Sequence, residues 1–213
     1  MSTFLHLNPN GRRIFQEFYT QGSFAADGAA FLSRTGTTAN SYETGELYGL
    51  LSTANAAGNS AGSHASNFNI FRAEANPLMN VFMKTTAGIT NQRLWIGITS
   101  APNTNSDTAA GNFAGFLYST TIGGEPTWKY ITRDGTTQFV IDSGIPYLPD
   151  TAYRLSIWLV GDTAFFQIDN NSIVSSNRNT PLLTTNLGFQ YQLFNTITGS
   201  RSWKFKIAIL EYN

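Results

Sequence analysis

Residues 152–175 read AYRLSIWLV, then GD, then TAFFQIDNNSIVS. Tyr153, Leu155, Ile157 and Leu159 alternate with Arg154, Ser156 and Trp158. A period of two is the mark of a strand with one face on a core. Gly161-Asp162 and Asn170-Asn171 are residue types that tolerate positive φ, which tight hairpins require. The stretch therefore spells strand, turn, strand, turn, strand. Its apolar phase, with Phe166 and Ile168 continuing it, is scaffold. Trp158 lies in the opposite phase and points to whatever meets the second face.

The same grammar runs outward in both directions. Residues 92–99 (QRLWIGIT) place Leu94, Ile96 and Ile98 on one face and Trp95 on the other. FAGFLYST (113–120), TWKYITR (127–133) and TTQFVID (136–142) read as further strands, the last two joined at Asp134-Gly135, a strong hairpin signal. Phe68–Ala75 and Met79–Thr86 read as strands parted by Asn76-Pro77. Leu187, Phe189, Tyr191 and Leu193 alternate. So do Trp203, Phe205, Ile207 and Ile209 in the closing stretch, with Lys204 and Lys206 facing out. Residues 12–19 read as a first strand with Ile14 and Phe18 on one face. Residues 20–45 and 52–66 are small, polar and without period, and read as long loops. Residues 100–112 read as a second kind of polar loop. About a dozen short strands at this spacing make an all-β, two-sheet antiparallel β-sandwich in one domain, 1–213, with 1–66 its less regular part. Many strands are apolar on both faces, so some second faces must meet loops or other subunits.

Composition narrows the function classes. Charged residues are 12 % of the chain, against roughly 25 % in ordinary globular domains. Asn, Thr, Ser and Gly fill the gap. Thirteen Lys and Arg balance thirteen Asp and Glu, so nothing steers the protein to nucleic acid or anionic lipid. There is no cysteine, which removes disulfides and thiolate metal sites. No apolar run approaches the roughly 20 residues of a membrane span. The first residues lack the basic start and apolar core of a signal peptide, so synthesis in a cytoplasm without Sec export is expected.

The pattern Y-R-L-S-I-W-L…A-F-F-Q-I-D-N-N-S-I, then Pro181, then a closing I-A-I-L-E-Y, resembles the concanavalin A-like (laminin-G-like) jelly roll. The closest likeness is to the version found in bacteriophage virion proteins, in tail fibres and head decorations. The resemblance covers roughly residues 67–213 and is carried by fold grammar, which specifies architecture better than function. By resemblance, the enzymes of this fold carry an E-x-D-x-E strand that sets two carboxylates about 5–5.5 Å apart. This chain has no such run. Glu43 and Glu46, in ETGE, lack the alternate spacing. Lectins of this fold hold calcium with clustered Asp and Asn, and Asp169-Asn170-Asn171 is the comparable cluster here, though a hairpin turn explains it.

Other chemistry is weakly signalled. Gly58-Asn59-Ser60-Ala61-Gly62 matches G-x-S-x-G, with His64 nearby, but a nucleophile elbow needs a strand-to-helix turn that this pattern does not offer. The two histidines, His6 and His64, form no metal-spaced cluster. Asn170-Asn171-Ser172 is a sequon that reads better as a turn. No catalytic residue, cofactor or metal ligand is expected. The aromatics are the better lead. Trp203 shares the core phase. Trp95 and Trp158 lie opposite the main stripe of their strands. Trp128 and Tyr130, near Arg133, are the flanked aromatic pair that a sugar or a partner would use. Trp128, Tyr130, Arg133 and Trp158 are therefore the candidate contacts for a glycan or a partner.

The resemblance implies a non-enzymatic structural protein on the virion surface of a tailed phage. A capsid decoration (cement) protein is the first expectation. It would be a homo-oligomer, a trimer by preference, with other virion proteins as partners. The alternative is a tail-fibre or host-range receptor-binding module that holds a surface glycan. No nucleic-acid or membrane partner is expected.

Overall fold

A computed structural model describes residues 6–7, 13–20, 23–26, 32–43, 46–65, 70–121 and 127–212. Among these, eighteen strands form two antiparallel sheets of ten and eight. The chain supplies β1 (His6–Leu7), β2 (Arg13–Thr20), β3 (Ser23–Ala26), β4 (Leu32–Thr35), β5 (Thr37–Glu43), β6 (Glu46–Ser52), β7 (Ser60–Ala65) and β8 (Phe71–Arg72). A 3-10 turn, Ala73–Ala75, follows. Then come β9 (Leu78–Thr85), β10 (Gln92–Thr99), β11 (Asn112–Ser119), β12 (Thr127–Asp134), β13 (Gln138–Pro146), β14 (Ala152–Val160), β15 (Thr163–Ile168), β16 (Val174–Ser176), β17 (Asn186–Asn195) and β18 (Ser202–Tyr212). The first sheet runs β1-β2-β18-β9-β14-β15-β16, with β6 also on β18. The second runs β13-β12-β11-β10-β17-β7-β4.

The inward phases named from sequence meet between the sheets. Leu155, Ile157, Leu159, Phe166 and Ile168 come from the first sheet, and Leu94, Ile96, Ile98, Leu187, Phe189, Tyr191 and Leu193 from the second. Burying a large apolar side chain contributes about 1.5–3 kcal/mol, so this layer is the main stabilising element. Trp203 and Phe205 join it, but the closing strand then departs from its simple alternation. A bulge between Phe205 and Ile207 shifts the register against β9. It moves Ala208, Leu210 and Tyr212 into the core and leaves Ile209 half-buried. One extra residue flips every later side chain to the other face, and a period count across it cannot see this.

The low-complexity stretch at 52–66 is not one loop. Ser60–Ala65 is a strand between β17 and β4. Its small residues mark close approach: a Cβ at Gly62, where φ is +141°, would sit 2.1 Å from the Tyr191 carbonyl oxygen. The loop proper is residues 53–59, and Asn195 holds it. Asn195 Nδ2 donates to the carbonyls of Ala54 (2.6 Å) and Ala56 (3.0 Å), and its Oδ1 accepts from the Thr53 hydroxyl. Residues 20–45 likewise contain β3, β4 and β5, although their composition shows no period. Phe71–Arg72 is the strand in 68–75, and residues 66–69 lie outside the described residues.

Candidate functional site

The aromatic pair expected to meet a ligand is internal. Trp128 is 0 % exposed and Tyr130 2 %. Both project from β12 between the sheets. The Trp128 indole meets Tyr147 (4.9 Å) and Tyr153 (5.5 Å) edge to face, and Tyr130 stacks on Phe166 at 5.1 Å. Arg133 has the opposite parity and leaves by the outer face, where its Nη2 donates to the Gly135 carbonyl at 3.2 Å. The structure therefore does not bring Trp128, Tyr130 and Arg133 together. Adjacency in sequence hid the alternation that sends them to opposite faces. Burial also raises the phenol pKa of the surrounding tyrosines, Tyr118 to about 12, and pushes that of Tyr147 up as well. These hydroxyls stay protonated and are packing groups, not bases.

The outer face of the second sheet is covered by the chain itself. Trp95, Phe113, Leu117, Ile131 and Phe194 form a second apolar cluster there, with Ala109 from the loop between β10 and β11. Gly97 and Gly115 face each other across β10 and β11. A Cβ on either would come within 2.8 Å of the Phe113 ring, so the pair makes room for that ring against the backbone. Trp95 packs edge-on to Phe113 at 5.0 Å, and its Nε1 donates to the Ser106 carbonyl at 3.1 Å. Arg93, 4 % exposed, ties the loop down. Its Nε donates to Asp107 at 2.7 Å, Nη2 to Thr121 at 2.7 Å and Nη1 to Asn105. Burial pushes the Asp107 carboxyl up, but hydrogen bonds to Arg93 and Thr121 outweigh it and the net pKa is lowered. Gln190 completes the seam with reciprocal bonds to the Asn103 backbone, 2.7 and 3.0 Å. The second apolar face of β10 and β11 thus meets a loop, residues 100–111.

The outer face of the first sheet is different. Trp158 stands beside Phe165 on β15, the rings parallel at 5.4 Å, and both keep partial solvent exposure. The register sets Ser156 between Asn80 and Gln167, and Arg154 beside Phe82. Trp158, Leu78, Asn80, Ser156, Gln167 and Arg154 line a groove of about 300 Å³. The Ser156 hydroxyl donates to Asn80 Oδ1 at 2.6 Å, which leaves the Asn80 NH2 group without a partner among the described residues. Gln167 Nε2 donates to the Asn171 carbonyl at 3.0 Å, which leaves its Oε1 as an acceptor. A wall of indole beside one donor and one acceptor suits a polyhydroxylated ring, which offers C–H faces and hydroxyls together. Of the four sequence candidates, Trp158 alone lies in this groove. Asn80, Arg154, Ser156 and Gln167 were missed, though each shares the outward parity that singled out Trp158.

The remaining motifs have local roles. Ser60, the centre of G-x-S-x-G, lies on a strand with its hydroxyl 2.8 Å from that of Thr35. The Asp169 carboxylate accepts the Arg154 backbone N–H at 2.7 Å, and Asn171 Nδ2 donates to the Ile168 carbonyl at 2.9 Å. With Asp169 at φ +52°, the cluster closes a hairpin turn. Among the described residues no group of three His, Asp or Glu is placed to hold a metal.

No protein-family model matches the sequence, and no curated protein matches it by sequence. Solved structures do match in three dimensions. A legume lectin-like domain from Entamoeba histolytica superposes with a TM-score of 0.56 at 10 % identity, over 85 % of this chain and 89 % of that one. The fold is the concanavalin A-like β-sandwich. The exoplasmic domain of VIP36, bound to Ca2+ and Man3GlcNAc, shares it with a TM-score of 0.52 at 14 % identity, over 84 % and 83 %. So does the alginate lyase AlyC3, with 0.54 at 9 % identity, over 94 % and 90 %. Lectin-like domains and an enzyme therefore share this concanavalin A-like sandwich, and the fold alone assigns no role.

Proposed function

We propose that this chain is a non-enzymatic glycan-binding domain that holds carbohydrate in the outer groove of the first sheet. The observation that carries the reading is the groove itself: an indole wall, an unoccupied amide donor and an unoccupied amide acceptor on three adjacent strands. Rigid strands preorganise these groups, so little ordering cost is left for binding. The solved glycan complex of VIP36 supports the use of this fold for sugar. The chain also lacks the paired-carboxylate E-x-D-x-E strand. On the sequence resemblance, the setting is a tailed-phage virion, where such a domain serves as a receptor-binding module.

The test is a glycan array followed by titration of the strongest binder. Trp158→Ala is expected to weaken binding roughly thirty-fold, the loss typical of an aromatic anchor. A blank array, or unchanged affinity in the variant, would sink the reading. A second reading, capsid decoration through self-association, is favoured by the exposed Ile173, Leu182 and Leu183. A trimer by native mass, with affinity for phage capsids and none for glycans, would put it first.

A further inference from the structure

We infer that the ligand of this face is an extended acidic polysaccharide, and that Arg154 reads its carboxylate; this rests on the glycan reading above. A second groove, about 240 Å³, continues the first along the same face. Tyr48, Phe82, Ala152, Asp169 and Lys206 line it, and Arg154 lines both. Trp158 to Ala152 spans six strand steps, about 20 Å. That is much longer than one sugar ring, so the face is built for a chain.

Arg154 sits at the junction. It is exposed, and its guanidinium lies 5.6 Å from the Phe82 ring centroid. Among the described residues it pairs with no carboxylate, unlike Arg93, which holds Asp107, and Lys129, which holds Asp142. The carboxylate nearest in the groove, Asp169, is engaged by the Arg154 backbone N–H at 2.7 Å. An arginine with its fork uncommitted and lying over an aromatic ring suits bidentate capture of a carboxylate. Further along, Lys206 Nζ lies 6.0 Å from the Tyr48 ring, a second cation on the path. Among the described residues that line the two grooves the cations are Arg154 and Lys206 and the carboxylate is Asp169, a balance that suits an anionic chain. In a protein with so few charged residues, this local excess is informative.

Polygalacturonate, polymannuronate and hyaluronate, each beside its carboxyl-reduced neutral form, provide the test by titration calorimetry. At least one acidic polymer should bind about ten-fold tighter than its reduced form, with the gap narrowing in high salt. Arg154→Gln should close that gap by weakening the acidic form about ten-fold more than the reduced form. Trp158→Ala should weaken both forms together. If acidic and reduced forms bind equally to the native chain, or Arg154→Gln weakens both alike, the acidic-ligand inference fails and the glycan reading stands. If none of the polymers binds, in either form, both fail.

Discussion

Two tryptophans break phase in the same way and end in opposite roles. Trp95 and Trp158 each lie on an interior strand, β10 and β14, and each points away from the main core. Over Trp95 the chain folds residues 100–111 and seals the face with Arg93, Asp107 and Asn103. Over Trp158 the face keeps its solvent, and amides and a guanidinium gather beside the indole. An out-of-phase aromatic therefore says that something meets the second face. Whether that something is the chain's own loop or a ligand depends on what the next connection carries.

The difference can be broken by stability before it is broken by binding. Trp95→Ala removes a fully buried indole and unseats the loop, and should cost about 4 kcal/mol in urea unfolding. Trp158→Ala removes a half-exposed ring with one stacking partner and should cost about 1 kcal/mol or less. Equal losses at the two positions would mean that the first sheet's outer face is structural too.

Acid should separate the faces more gently. Asp142 on β13 is held at about 2, first by the Lys129 ammonium at 2.5 Å and then by the Gly144 N–H, against an ordinary value of 3.8. Asp134, in the adjoining turn, is held at about 2 by the N–H groups of Thr137 and Thr136 and the Thr136 hydroxyl. Asp107 in the loop is also lowered. A depressed carboxyl adds stability that is present above the unfolded value and lost as pH falls through the folded one. The urea midpoint should therefore fall between pH 3.8 and about 2, with the Asp142 and Asp134 contributions small because both are largely exposed. Amide exchange in residues 100–111 should rise before that in β9 and β14. The reverse order would contradict the account of how the loop is held.

The architecture was legible because β9, β14, β15, β17 and the start of β18 alternate with a period of two, and the turns carry Gly, Asp and Asn where positive φ falls. What stayed hidden has definite causes. In β7, small residues that resemble a flexible linker are small because Tyr191's backbone presses on Gly62. In β18 one bulge shifts the alternation, so that Ala208 and Leu210 are inside and Ile209 is half-buried. Trp128 and Tyr130 looked like a surface pair because an arginine follows, yet their even parity on β12 sends them inward and sends Arg133 out. The groove was half legible: Trp158 announced itself by phase, but Asn80 and Gln167 reach it only through strand pairing, which no single strand records.

The most direct test of the central claim is a carbene footprint of the chain with and without the strongest binder from the glycan array. Protection is expected at Leu78, Asn80, Arg154, Trp158 and Gln167, with labelling of residues 100–111 and of Trp95 unchanged. Protection centred on residues 100–111, with Trp158 labelled as before, would place the ligand on the other sheet and contradict the claim.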